Sequence, residues 1–246
     1  MTKSKEPGVT WVAGVGASQG LGAAVARRFA QEGHPVVVTG RNLERLQQVA
    51  DEIRAAGGQA TAIAADLTEE RAVVAAAERV AALGTLEVAV FNAAHMVIAP
   101  SLELRAVDFE AALKGNTLAG FLFGREALKQ LVPLGRGTLL FTGATASVKA
   151  RPPFAAFAAG KAGVRSLSQA FAREFGPRGV HVAHIVIDGG IDGERLRGRA
   201  PERVTQRGAD GLLQLDALSD VYLHLHRQPR SAWTQELDLR PFNETF

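Results

Sequence analysis

The 246-residue chain contains no cysteine, which excludes disulfides, thiolate metal sites and a cysteine nucleophile. It has no apolar run approaching the roughly 18 residues of a membrane span, so no membrane partner is expected. Residues 1–8 are a polar lead-in without the apolar core of a signal peptide, and a cytoplasmic protein is the expectation. Aromatic residues are scarce at 6%, and the chain holds one phenol, Tyr222. No aromatic residue is interleaved with Arg195, Arg197, Arg199, Arg203 and Arg207, as a nucleic-acid stacking surface requires. With a net charge of only +3 and a pI near 9.6, no nucleic-acid partner is expected. Residues 195–207 read instead as a solvated loop, able to face an anionic ligand. His181 and His184, three apart on a strand, face opposite ways. His224 and His226, two apart on a helix, share no face, so no metal site is expected.

What is present is an ordinary globular composition, 47% hydrophobic and 22% charged, arranged as alternating strands and helices. Strands are predicted at residues 10–13, 35–39, 60–64, 86–91, 138–142, 181–187 and 236–239. Helices are predicted at 21–32, 43–56 with Asn42 as N-cap, 69–83, 105–132, 154–175 and 215–227. Gly33, Gly57 and Gly84 each stand where a helix should stop in a left-handed residue. Nearly continuous apolar strands between helices indicate a parallel sheet covered on both faces. With no repeat, low-complexity tract or linker, residues 1–246 read as one α/β domain, a Rossmann-like doubly wound sheet in three αβα layers.

One stretch organises the rest. The apolar run 10–13 leads directly into Gly14-Val15-Gly16-Ala17-Ser18-Gln19-Gly20-Leu21-Gly22. This opens into a helix in which Leu21, Ala24, Val25, Arg28 and Phe29 recur at helical spacing. Strand, glycine-rich turn and helix in that order make a phosphate cradle: glycines let the backbone approach a pyrophosphate, and the free N–H groups of the helix start face the anion.

Several motifs in register resemble the short-chain dehydrogenase/reductase family over essentially the whole chain. Gly16, Ser18, Gln19, Gly20, Leu21 and Gly22 lie in a segment similar to the family's Gly-x-x-x-Gly-x-Gly turn. Asp66-Leu67 resembles the pair that meets the adenine ring. Asn92-Ala93-Ala94 is similar to Asn-Ala-Gly after the fourth strand, with Ala94 in place of glycine. Asn116 falls at the family's helix-breaking catalytic asparagine, and Lys161 at the lysine of Tyr-x-x-x-Lys. The resemblance implies a nicotinamide cofactor, a small-molecule substrate and a homodimer or homotetramer paired through the long helices at 105–132 and 154–175. Leu122, Leu128 and Phe171 are expected on the exposed faces of those helices.

The end of the second strand indicates which cofactor. An NAD site needs a carboxylate there for the adenosine ribose, and that carboxylate repels a 2′-phosphate. The chain has Thr39-Gly40-Arg41-Asn42 instead, with an arginine able to bind phosphate bidentately. NADP(H) is therefore expected over NAD(H), with Ser18 as a second phosphate contact.

The catalytic positions depart from the family's pattern. Phe157 stands four residues before Lys161, where the resemblance places the tyrosine acid/base. Ala144, thirteen residues earlier, stands at the serine that polarises the carbonyl. Tyr222 lies in the last helix and reads as core. Protonating a developing alkoxide is worth about 10²–10⁴ in rate and an oxyanion donor about 10²–10³; phenylalanine and alanine supply neither. His95, in the loop that borders the nicotinamide pocket, could donate a proton or be a loop histidine bonded to backbone. Asp188, after the sixth strand, could act as an acid if desolvated or form a local turn. Thr145 and Ser147 lie close to Ala144, although the Thr145 hydroxyl is expected to point elsewhere. Lys161 would still hold the ribose hydroxyls.

Three readings follow. The first is an NADP(H)-dependent oxidoreductase with non-standard catalysis, for which a C=N or C=C substrate makes the missing phenol less damaging. The second is a cofactor-binding protein without turnover, a sensor or an inactive subunit. The third is a non-redox enzyme on the same scaffold. Fold cannot choose among them, because function lives in the site.

Overall fold

A computed structural model describes residues 7–245 of the chain, so residues 1–6 of the polar lead-in lie outside the described residues. The first half runs β1 (Val9–Ala13), α1 (Leu21–Gln31), β2 (Val36–Gly40), α2 (Leu43–Ala55), β3 (Ala60–Ala64), α3 (Glu70–Leu83) and β4 (Leu86–Phe91). The second half runs α4 (Ala106–Leu113), α5 (Ala119–Leu131), β5 (Thr138–Thr142), α6 (Ala155–Phe175), β6 (His181–Ile187), α7 (Glu194–Arg199), α8 (Pro201–Arg207), α9 (Leu215–His226) and β7 (Glu236–Leu239). Among the described residues the seven strands form one parallel sheet in the order β3-β2-β1-β4-β5-β6-β7. Val12 at its centre pairs with Val38 on one side and Val90 on the other.

Strands that are apolar on both sides need cover on both faces. One face packs against α3, α5 and α6 through Val73, Val80, Phe123, Leu131, Val164 and Phe171. The other packs against α1, α2 and α9 through Val25, Phe29, Leu46, Ile53, Leu218 and Tyr222. This is the doubly wound three-layer fold. Asn42 caps α2, its side chain accepting from the Arg45 N–H at 3.0 Å. Gly33 and Gly57 follow their helices at φ of 86° and 87°, where a side chain would be strained. No helix among the described residues is long and apolar enough to cross a membrane.

The helical stretch expected across residues 105–132 is present from Ala106 to Leu131, with one refinement: α4 and α5 are joined by a π-helical turn, Lys114–Leu118. The side-chain amide of Asn116 takes the carbonyl of Ala112 at 2.8 Å, the acceptor that an α-helix reserves for the Asn116 main-chain N–H. Two expectations need correction. The arginine-rich segment is not a loop but the two short helices α7 and α8. Only Leu196, Ala200 and Val204 interrupt its polar run, too few to display a period, and Pro201 starts the second helix. Leu122, Leu128 and Phe171 are not on exposed helix faces; they are buried in the monomer core. The exposed apolar residues of the α4–α5 arm are Val107, Phe109, Leu118 and Phe121.

Candidate active site

The strand order reverses between β1 and β4, and in open parallel sheets ligands bind at the carboxyl ends of the strands flanking such a switch. The glycine-rich turn leaves β1 at this point. Gly14 adopts φ 82°, and a Cβ there would fall 2.3 Å from the Ala93 nitrogen, so only glycine lets the turn cross the end of β4. Asn92 pins it, donating from Nδ2 to the Gly14 carbonyl at 3.2 Å. The N-cap of α1 is Gly20, which offers no side-chain cap, and the first turn carries no acid. The opening N–H groups of α1 are thus left to an anion.

Adjoining elements complete the cleft. Gly40, at the end of β2, lies so close to Val15 that a Cβ would sit 2.4 Å from its carbonyl oxygen. Arg41 follows, exposed, with no hydrogen-bonding or ionic partner among the described residues. Asp66 accepts from both the N–H and the hydroxyl of Thr68 at 2.9 and 2.8 Å, which fixes the turn after β3, while Leu67 is buried. On the far side the Glu194 N–H donates to the Gln19 carbonyl at 2.9 Å, which brings the segment after β6 onto the glycine-rich turn.

The second half of the site is assembled around Asn116. Its Nδ2 also donates to the His95 carbonyl at 2.8 Å, and its Oδ1 accepts from the His95 N–H at 3.4 Å. The π-helical turn is thereby tied to the loop after β4. Helix α6 approaches this turn through glycines: a Cβ on Gly160 would meet Asn116 Nδ2 at 2.9 Å, and one on Gly163 would meet Thr117 Oγ1 at 2.2 Å. Phe157 and Lys161 are buried one turn apart on α6. The Lys161 Nζ donates to the Thr142 carbonyl at 2.8 Å and the Ala93 carbonyl at 3.4 Å. Neither acceptor is a carboxylate, and burial pulls the lysine down to about 8.

The polar groups around Ala144 are already engaged. The Ala144 N–H donates to Ser147 Oγ at 3.1 Å. Thr145 Oγ1 donates to Asp188 Oδ1 at 2.6 Å, as its expected turn away from the site implied. The other oxygen of Asp188 pairs with Arg240 at 3.3 Å. Asp188 is therefore the buried centre of a clamp between β5, β6 and the end of β7. The His95 ring makes no hydrogen bond to any described residue. Tyr222 is core as expected: its hydroxyl lies 2.7 Å from Thr142 Oγ1, and burial holds the phenol above its ordinary value.

Sequence reasoning named Gly16, Ser18, Gln19, Gly20, Leu21, Gly22, Asn92, Ala93, His95, Asn116, Phe157 and Lys161, and the fold gathers them at the carboxyl ends of the central strands β1, β4 and β5. It missed the clamp partner Arg240. It also missed Arg27 and Glu52, which flank Ser18: Ser18 Oγ lies 2.6 Å from Glu52 Oε2, and Arg27 reaches both Glu52 (3.1 Å) and the Ser18 carbonyl (2.7 Å). These residues come from separate helices, so no local pattern announces them. A cavity of about 880 Å³ opens on this outer side of the turn, bordered by Ser18, Arg27, Glu52, Gly193, Arg197 and Asp216. Lys161, Phe157 and His95 do not line it.

A family model described as short chain dehydrogenase matches residues 10–201. Glucose 1-dehydrogenase of Gluconobacter oxydans is 31% identical over 170 residues, 68% of this chain and 64% of that protein. The chain thus spans just under two thirds of that relative's length. Among solved structures, a short-chain dehydrogenase from Rhodopseudomonas palustris is 35% identical with a TM-score of 0.82, covering 97% of this chain and all of that one. A metagenomic short-chain oxidoreductase in complex with NADP is 27% identical with a TM-score of 0.77, covering 95% of this chain and 96% of that one.

Proposed function

Because the chain belongs to the short chain dehydrogenase family, we propose that it is an NADP(H)-dependent oxidoreductase acting on a small molecule, with Phe157 and Ala144 at the positions of the family's tyrosine and serine. The observation that carries the cofactor reading is the turn itself: a cradle that a Cβ at Gly14 or Gly40 would fill, opening onto a helix whose first N–H groups have no side-chain cap. A pyrophosphate fits there. Asp66 and Leu67 would border the adenine, Arg41 and Ser18 the 2′-phosphate, and Asn92, Ala93 and Lys161 the nicotinamide ribose. The relative solved with NADP supports the same reading.

When bound, the cofactor supplies or accepts a hydride at its nicotinamide. The chain's own part is to bind, orient and manage protons. Asn116 fixes the loop that carries His95, and α6 places the Lys161 ammonium beneath the ends of β4 and β5. Phe157 presents an apolar ring where a phenol would donate a proton. A C=N or C=C substrate suits this surface: the hydride goes to carbon and the proton to nitrogen or to the neighbouring carbon, so no alkoxide has to be protonated. The His95 ring, in the same loop, makes no hydrogen bond to any described residue. Steady-state NADPH consumption with ketones, imines and enones tests the reading. Turnover on imines or enones, lost in His95→Ala, is expected; no turnover on any class while NADPH binds would refute it.

A second reading, a cofactor-binding protein without turnover, is favoured by one observation: the Thr145 hydroxyl is committed to Asp188 and the Ala144 N–H to the Ser147 hydroxyl oxygen, so neither donor next to Ala144 is free. We further propose a homodimer or homotetramer built on the α4–α5 arm, supported by exposed Val107, Phe109, Leu118 and Phe121.

A further inference from the structure

We infer that Glu52 is a specificity-determining residue that works through Ser18 to restrain binding of the adenosine 2′-phosphate. The inference rests on the nicotinamide-dinucleotide reading of the glycine-rich turn and deepens it. Ser18 is a side-chain donor in that turn, and its single hydroxyl proton already has an acceptor in Glu52 Oε2, 2.6 Å away. A hydroxyl has one proton to give. For Ser18 to donate to a phosphate, its bond to Glu52 must break. A phosphate oxygen at hydrogen-bond distance from Ser18 Oγ would also lie within about 5.5 Å of the carboxylate, where two anions repel.

The remaining contacts define how strong this restraint is. Arg27 Nη1 lies 3.1 Å from the same Glu52 oxygen, and its Nη2 donates to the Ser18 carbonyl at 2.7 Å. One arginine thus holds the turn and partly neutralises Glu52. Arg27 and Glu52 side chains keep 29% and 37% of their surface in solvent, so the field between Glu52 and a phosphate is screened but not abolished. Gln48 donates to the other carboxylate oxygen at 3.1 Å, which orients the group without changing its charge. Arg41, exposed and unpartnered beside the turn, pulls the opposite way. The preference for NADP(H) over NAD(H) is then set by a balance, Arg41 attracting the 2′-phosphate and Glu52 opposing it through the serine.

Fluorescence titration of the full chain with NADPH and with NADH decides the matter, on the parent, Glu52→Gln, Glu52→Asp and Arg41→Ala. Glu52→Gln keeps the side chain's shape and its ability to accept from Ser18 and Arg27 while removing the charge. It should raise the NADPH-over-NADH affinity ratio by about three- to tenfold, with NADH affinity itself unchanged. Glu52→Asp keeps the charge and should return the ratio towards the parent's. A ratio unchanged in Glu52→Gln overturns the inference. So does a parallel change in both affinities, which marks a structural role only. If Glu52→Gln raises the ratio while Arg41→Ala has no effect and the parent prefers NADH, the role of Glu52 stands and the NADP(H) reading fails. If Arg41→Ala lowers the ratio and Glu52→Gln leaves it alone, the reverse holds. Should Glu52→Gln not fold, Glu52→Ala with Arg27 retained gives the same readout.

Discussion

The hydroxyl of Thr145 lies 2.6 Å from Oδ1 of Asp188, whose other oxygen is held by Arg240 at 3.3 Å. The bond ties the segment after β5 to the end of β6 and takes from the candidate site the hydroxyl next in sequence to Ala144. The Thr145 hydroxyl is thereby committed to Asp188, and the Asp188 carboxylate is ion-paired into the frame.

Restoring the family's groups should therefore restore carbonyl chemistry. Phe157→Tyr places a phenol one helical turn from Lys161, and Ala144→Ser adds a hydroxyl at the end of β5. The double variant should reduce activated ketones with NADPH at least about tenfold faster than the parent. Each single variant should yield less than its share in free energy, since both groups act on one oxygen. Equal rates in parent and double variant, with cofactor bound, would show that the substrate carbonyl does not lie between these positions.

Thr145→Val removes the hydroxyl that satisfies a buried carboxylate while keeping the side chain's volume. The unmade bond should cost about 1–3 kcal/mol, read as a lower urea midpoint at an unchanged slope. Thr145→Ser should recover most of the loss. A Thr145→Val protein as stable as the parent would mean that Arg240 alone suffices for Asp188.

Strands were the most legible part of the chain: the central β4, β5 and β6, buried on both sides, are apolar runs that polar turns interrupt, and they carry the expected boundaries, as do the partly buried edge strands β3 and β7. The glycine-rich turn was legible for a steric reason, since a Cβ at Gly14 has no room. What the sequence hid were side-chain decisions made across elements. Asn116 was named, but the π-helical turn it produces depends on its amide taking the Ala112 carbonyl and reaching His95. Leu122 and Phe171 have the periodicity of an interface and of a core alike, and only packing distinguishes the two. The clasp on Ser18 joins Arg27 and Glu52, 25 residues apart, with no pattern between them.

The α4–α5 arm should mediate self-association. A mass above the monomer by light scattering at micromolar concentration is expected, and Phe121→Arg with Val107→Glu should lower it by placing charge on an exposed apolar surface. Circular dichroism should be unchanged, because both residues are on the surface of the monomer. A monomeric parent would leave those residues as isolated surface apolar groups.

Lys161 should leave a signature in stability against pH. Burial lowers it from 10.5 to about 8, so the folded state carries a desolvated ammonium below pH 8. Between pH 8 and 10.5 the unfolded chain holds more of this proton than the folded one, and stability rises with pH in that window. Above 10.5 both states are neutral and the burden is gone. Lys161→Met lacks the ammonium altogether, so its stability relative to the parent should be highest at pH 7 and should fall by about 3 kcal/mol between pH 8 and 10.5. Urea unfolding of both proteins across pH 7 to 10.5 measures this, because other titrating groups cancel in the difference. A difference that stays flat across the window would mean that the Thr142 and Ala93 carbonyls compensate the ammonium fully, and that Lys161 stays charged at every pH at which the protein works.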